Sequence, residues 1–183
     1  MAPCYQSPTR YLPDRYTFYG ASTEDLPMIV YLLNQRQFSP VPFHAEDLRH
    51  EWQAAHFNPA MDVRLVFDPR EYLVGYIQVS WDKDQPFLWG CVHPDYEGRG
   101  IGSALLSWGE ARVRFALDDA WVSPWSAPRF ATLPLQRAHE LCETLGWKQI
   151  QPKKKEMKRV TGALHLPDEA RQAVDVYEKS IEQ

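Results

Sequence analysis

The chain has 183 residues, 44% of them hydrophobic and 24% charged, and a formal net charge of -4. That is one domain's length with enough apolar residue to bury a core, and too acidic for bulk attraction to nucleic acid or an anionic membrane. No apolar run approaches the ~18 residues that a membrane span needs. Residues 1–14 carry Pro3, Pro8 and Pro13 without periodicity and read as an irregular arm. Tyr16-Thr17-Phe18-Tyr19 reads as a strand stopped by Gly20. Ser22 or Thr23 then caps a helix whose Leu26, Ile29, Val30 and Leu33 form one apolar stripe.

A second helix is predicted from Ala45 to about His56, burying Leu48, Trp52 and Ala55 and ended by Asn58-Pro59. Strands follow over Asp62–Phe67, Tyr72–Trp81 and Phe87–Val92, separated by turn-like, charged loops. Past the glycine cluster, Ile101, Ala104, Leu105, Trp108 and Phe115 recur at helical spacing. Val122 marks a short strand, and Pro124, Pro128 and Pro134 a Pro-rich segment. Leu135, Ala138, Leu141, Cys142 and Leu145 mark a further helix ending at Gly146, and Lys148–Val160 supplies the last strands. Ala170, Val174, Tyr177 and Ile181 put one apolar face on a predicted tail helix over 168–183. The expected fold is one α+β domain, a mostly antiparallel sheet flanked by helices, over residues 15–160. The arm 1–14 precedes it, and the segment 161–183 adds the extra C-terminal helix.

Cys4, Cys91 and Cys142 have no metal-ligand spacing, so no metal is expected, and they read as reduced thiols in a cytoplasmic protein. The N-terminus shows no basic segment followed by an apolar stretch, so no signal peptide is expected. The basic run Lys153-Lys154-Lys155 with Lys158 and Arg159 reads as a solvated strand edge, or else as an anionic contact surface.

The segment 91–106 joins a strand to a helix through Gly98, Gly100 and Gly102. Without Cβ atoms the backbone there bends sharply and its amides approach a ligand closely. The helix opening near Gly100 points free amides and its positive dipole end at the same turn, the chemistry of a phosphate or pyrophosphate site. Arg99 adds a cation beside it. There is no Gly-Lys-Ser/Thr ending, so this is no mononucleotide P-loop, and it lies too far along the chain for a dinucleotide-binding first turn.

Val92-His93-Pro94-Asp95-Tyr96-Glu97-Gly98-Arg99-Gly100-Ile101-Gly102-Ser103-Ala104-Leu105-Leu106 resembles motif A of the GNAT (GCN5-related N-acetyltransferase) superfamily. Leu145-Gly146-Trp147 resembles that family's Leu-Gly-Phe, and the element order is similar too. The N-terminal portion, from Glu24-Asp25-Leu26-Pro27 through Glu46-Asp47-Leu48-Arg49, is similar to one half of two-domain GNAT proteins. The resemblance implies an N-acetyltransferase using acetyl-CoA as cosubstrate and a small-molecule or peptide primary amine as acceptor. A catalytically weak or silent acyl-CoA-binding or protein-interaction module is the alternative, and a homodimer is one expected assembly.

The resemblance also implies the site. The pyrophosphate would lie on the amides of Gly98, Arg99, Gly100, Ile101, Gly102 and Ser103, with Glu97 at its entrance and the pantetheine arm along Cys91, Val92 and His93. Three positions depart from the family pattern. Glu97 stands where Arg or Gln is usual, Cys142 where many members carry a Tyr acid, and Leu135 where an Asn is frequent. His93 is then a candidate base and Cys142 a candidate acid, with His44, Glu46 and His139 as further candidates and water as the simplest proton carrier. Trp81, Phe87, Trp89, Trp121 and Trp125 are either core or the lining of an acceptor pocket.

Overall fold

The computed structural model of the chain describes residues 12–35, 42–82, 85–118, 128–132, 136–151 and 175–180. Its strands are β1 (Thr17–Gly20), β2 (Val63–Phe67), β3 (Leu73–Asp82), β4 (Gln85–Val92), β5 (Arg129–Thr132), β6 (Lys148–Ile150) and β7 (Asp175–Glu178). They form one seven-stranded sheet in the order β1-β2-β3-β4-β5-β7-β6. Every pair is antiparallel except β4 with β5. The described α-helices are α1 (Leu26–Gln35), α2 (Ala45–Glu51), α3 (Pro59–Asp62), α4 (Ile101–Asp118) and α5 (Gln136–Thr144), with short 3-10 turns at Thr23–Asp25 and Pro94–Tyr96.

Local chemistry sets the boundaries. The Ser22 hydroxyl accepts from the Glu24 amide at 3.3 Å while the Asp25 carboxylate accepts from the Ser22 amide at 2.7 Å. This capping box starts a 3-10 turn that runs into α1. α1 then buries Leu26, Ile29 and Leu33, as the stripe predicts, together with Leu32, while Val30 is only partly buried. Asp68 Oδ1 accepts from the amides of Arg70 (2.9 Å) and Tyr72 (3.0 Å), which closes the β2–β3 turn.

The alternation of β2, β3 and β4 sorts their side chains onto two cores. Leu65, Tyr76, Phe87, Trp89 and Cys91 face α1 and α2, where Leu48 and Trp52 join them. Val66, Ile77 and Leu88 face the opposite way, onto Ile101, Leu105 and Trp108 of α4 and onto Trp147 and Tyr177. Each fully buried large apolar side chain contributes about 1.5–3 kcal/mol relative to exposure.

Three expectations need correction. The second helix ends at Glu51, not near His56; Trp52 is its C-cap and Ala55 is exposed. Asn58-Pro59 opens α3 instead of merely closing a helix, because Asn58 Oδ1 accepts from the Ala60 amide at 3.1 Å. The tail is the largest difference. Within the predicted helix 168–183, residues Asp175–Glu178 form β7, seated between β5 and β6. Val176 belongs to the core under α1 and α2 and Tyr177 to the core under α4. A strand buried on both faces shows an apolar doublet in place of alternation, and the spacing to Val174 and Ile181 mimics a helical face. The sheet therefore extends beyond residue 160. The basic run, Val122, Trp121, Trp125 and residues 161–174 lie outside the described residues.

Candidate functional site

A cavity of about 400 Å³ opens where β4 outruns its parallel partner. The β4–β5 register covers Phe87–Trp89 opposite Arg129–Ala131, and Gly90, Cys91 and Val92 continue beyond it as cavity wall. A Cβ on Gly90 would lie 2.2 Å from the Tyr76 carbonyl oxygen, so only glycine fits this approach of β4 to β3.

The second wall is the turn leading into α4. Gly98 and Gly100 hold φ of 73° and 81°, the left-handed region that costs L-residues about 1–2 kcal/mol. The first α4 bond runs from the Ala104 amide to the Gly100 carbonyl at 3.0 Å. The amides of Ile101, Gly102 and Ser103 precede it and have no partner inside the helix, and Gly98, Gly100, Gly102 and Ser103 line the cavity. Such an array suits an anion. Leu105, Leu106, Phe130 and Leu141 make the remaining wall apolar. An anion carrying an extended, largely apolar chain therefore fits the lining.

Further contacts fix the turn. The His93 amide donates to the Val74 carbonyl at 2.8 Å. The Tyr96 hydroxyl donates to Asp68 Oδ2 at 2.7 Å, and the Arg99 guanidinium lies 4.7 Å over the Tyr96 ring.

Of the residues expected at the cofactor, Cys91, Val92, Glu97, Gly98, Gly100, Gly102 and Ser103 line the cavity, whereas His93, Arg99 and Ile101 do not. The Ile101 side chain is buried in the α4 core. Arg99 turns back, donating from Nη2 to the Asp95 carbonyl at 3.0 Å and from Nη1 to the Tyr16 hydroxyl at 3.4 Å. His93 accepts from the Asp95 amide at Nδ1 (3.2 Å) and sets its ring edge-on to Tyr96, so it caps the turn.

Cys142 is fully buried on the core side of α5, and burial, with Asp175 nearby, pushes its thiol up to about 12. Its neighbour Leu141, about 100° away around the helix, is the residue that meets the cavity. His44 caps α2, its amide donating to Asp47 Oδ2 at 3.2 Å, and Glu46 pairs with Arg49. His139 Nδ1 lies 2.9 Å from the Tyr177 hydroxyl. None of these three lines the cavity.

Two features were invisible in the sequence. Arg137 and Glu140 of α5 line the cavity, yet charged residues on an amphipathic helix look like its solvated face. On the other side of the sheet, a polar chain runs under α2. Gln78 Oε1 accepts from Tyr76 Oη at 2.7 Å and from Trp52 Nε1 at 2.9 Å, while Gln78 Nε2 donates to Glu51. Burial pushes Glu51 up to about 8, only partly offset by Gln78, and pushes Tyr76 well above the usual phenol range. Tyr76 pairs with Cys91 across β3 and β4, so this chain reaches the cavity wall.

Residues 65–149 match the sequence profile of a family described as "Acetyltransferase (GNAT) domain". That match, over a little under half of the chain, supports membership of the GNAT superfamily. The sheet and its helices agree with solved structures at low identity, which speak for the fold. A GCN5-related N-acetyltransferase from Sphaerobacter thermophilus is 23% identical with a TM-score of 0.66, covering 76% of this chain and 45% of that one. The chain thus spans less than half of that protein's length. YncA from Salmonella typhimurium, solved with its cofactor acetyl-CoA, is 14% identical with a TM-score of 0.62, covering 93% and 96%. A GCN5-related N-acetyltransferase from Kribbella flavida is 17% identical with a TM-score of 0.58, covering 92% and 99%. No curated protein matches the chain in sequence. No described helix of this chain is long and apolar enough to cross a membrane.

Proposed function

We propose that the chain is an N-acetyltransferase that moves the acyl group of acetyl-CoA directly to a primary amine on a small molecule or peptide. The observation that carries this reading is the meeting, in one cavity, of the positive-φ glycine turn, the α4 N-terminus and the β4 segment Gly90–Val92. The turn amides suit a pyrophosphate, and the β4 segment suits the pantetheine arm that the family places there. Acyl-CoA supplies an activated thioester when bound. The chain's own part is to hold the anion, to align the carbonyl against β4 amides and to keep water out with Leu105, Phe130 and Leu141.

The amine approaches from the α1–α2 side, where Tyr76, Trp89 and Cys91 face that core. In the balanced step an N–C bond forms, the C–S bond breaks, the amine gives up a proton to water and the departing sulfur takes one. Neither His93 nor Cys142 is assigned a proton, because neither side chain meets the cavity. A cytoplasmic setting with reduced Cys91 and Cys142 belongs to this reading.

That displacement of both candidates also favours a second reading, an acyl-CoA-binding module without turnover. Release of free thiol from acetyl-CoA, measured with the purified chain and a panel of primary amines, separates the two. Release above the blank with any amine supports the enzyme. Measurable CoA binding with no release by any amine supports the module.

A further inference from the structure

The cavity carries an ion pair at the place where phosphate would sit. Glu97 immediately precedes Gly98, and its Oε2 lies 3.4 Å from Nη1 of Arg137, in the first turn of α5. The same Nη1 lies 3.7 Å from where a Cβ on Gly98 would stand, so the guanidinium covers the backbone of the turn. Arg137 is 68% exposed and Glu97 23%, which puts the cation at the mouth and the carboxylate within. Among the described residues Arg137 is the one cation in the lining, because Arg99 is turned away onto Asp95 and Tyr16. Glu140 is the other lining carboxylate.

A carboxylate beside an anion site is unfavourable unless it has a second use. Here that use is visible: Glu97 holds the guanidinium over the amides before any ligand arrives. We propose that Arg137 is the phosphate-binding cation of this site and that Glu97 is an internal counter-anion which the cofactor's phosphate displaces from it. The inference rests on the acyl-CoA reading. Phosphate and Glu97 compete for one guanidinium, so the carboxylate weakens binding while pre-positioning the cation. An exposed pair is weak, which keeps the exchange easily reversible.

The test is calorimetric titration of the full chain with CoA, for wild type, Glu97→Gln, Arg137→Gln, Arg137→Lys and the double variant Glu97→Gln/Arg137→Gln. Glu97→Gln should tighten binding about threefold to tenfold, since it removes both a repulsion and a competitor. Arg137→Gln should weaken it about tenfold or more, and Arg137→Lys should recover part of that loss. The double variant should fall between the two single ones, because without the guanidinium Glu97 only repels. Thermal melts accompany the titrations, and because Arg137 is exposed and the pair is weak, the melting temperature should stay within a few degrees of wild type. Wild type that binds CoA, with Glu97→Gln unchanged or weaker, or with Arg137→Gln unchanged, overturns the exchange and leaves the acyl-CoA reading standing. Absence of CoA binding in wild type and every variant removes both.

Discussion

Tyr96 donates its hydroxyl proton to Asp68 Oδ2 across 2.7 Å, and this one bond ties the β2–β3 turn to the glycine turn 28 residues later. Asp68 is well supplied: its other oxygen accepts from the Arg70 and Tyr72 amides. Burial pushes its carboxyl up, but those amides and Tyr96 outweigh it and hold it below the usual carboxylate range. The glycine turn is thus anchored by a group far from it in sequence.

Tyr96→Phe should therefore cost about 1 kcal/mol of stability near neutral pH and weaken CoA binding severalfold by loosening the turn. The sign with pH follows from the lowered Asp68 pKa. Its contribution is present above the ordinary value of 3.8 and is lost as pH falls through the folded-state value. Urea unfolding at pH 7 and at a series of pH values below 3.8 checks this, since the gap between wild type and variant should narrow as the pH falls.

Glu51 predicts the opposite slope. Its folded-state value of about 8 lies above the ordinary 4.5, so the neutral acid stabilises the fold. That contribution is complete below pH 4.5 and fades as pH rises through about 8. The melting temperature should drop by about 5 °C or more between pH 5 and pH 9, and Glu51→Gln, which keeps an acceptor for Gln78, should flatten the decline. Thermal melts across that range check it.

Asp62 and Arg112 form a buried ion pair, 2.8 Å apart with side chains 0% and 6% exposed, joining α3 to α4. Asp62 also accepts from the Asn58 amide at 2.7 Å. Asp62→Leu alone should cost about 3–5 kcal/mol by stranding the guanidinium, whereas Asp62→Leu with Arg112→Met should recover much of it. Chemical denaturation of the three proteins decides the matter.

Much of this architecture was legible, and the reasons are physical. Strands β2 to β4 alternate between two buried faces, and α4 keeps Ile101, Leu105 and Trp108 on one side, so period alone finds them. The glycine turn is readable because positive φ restricts residue type. Rotation around a helix is what period reads poorly. Leu141 and Cys142 both looked like core, yet one meets the cavity and the other the interior. Arg137 looked like solvated surface, and only the fold brings it over Gly98 from 39 positions away. Tertiary context also overrode the tail, where Val176 and Tyr177 serve two cores at once.

The same rotation gives the most discriminating prediction. If position on α5 decides role, Cys142→Ala should act through packing. Its thiol is fully buried and pushed up to about 12, so it is a poor proton donor and sits away from the cavity. The variant should lose about 1–2 kcal/mol of stability through the small void. On the proposed activity, turnover at saturating substrate should stay within about twofold of wild type, as expected when no transition-state contact is removed. His93→Ala should behave likewise in kcat while loosening the turn, because the ring caps Asp95 and packs on Tyr96. Gly98→Ala is the contrast: φ of 73° resists a side chain, and the added methyl projects toward Arg137. It should leave the core intact and cost CoA affinity at least tenfold, on the order of 1.4 kcal/mol. Parallel titration, melting and turnover measurements on the three variants separate packing from chemistry. A large kcat loss in Cys142→Ala with unchanged stability would return the proton to that thiol.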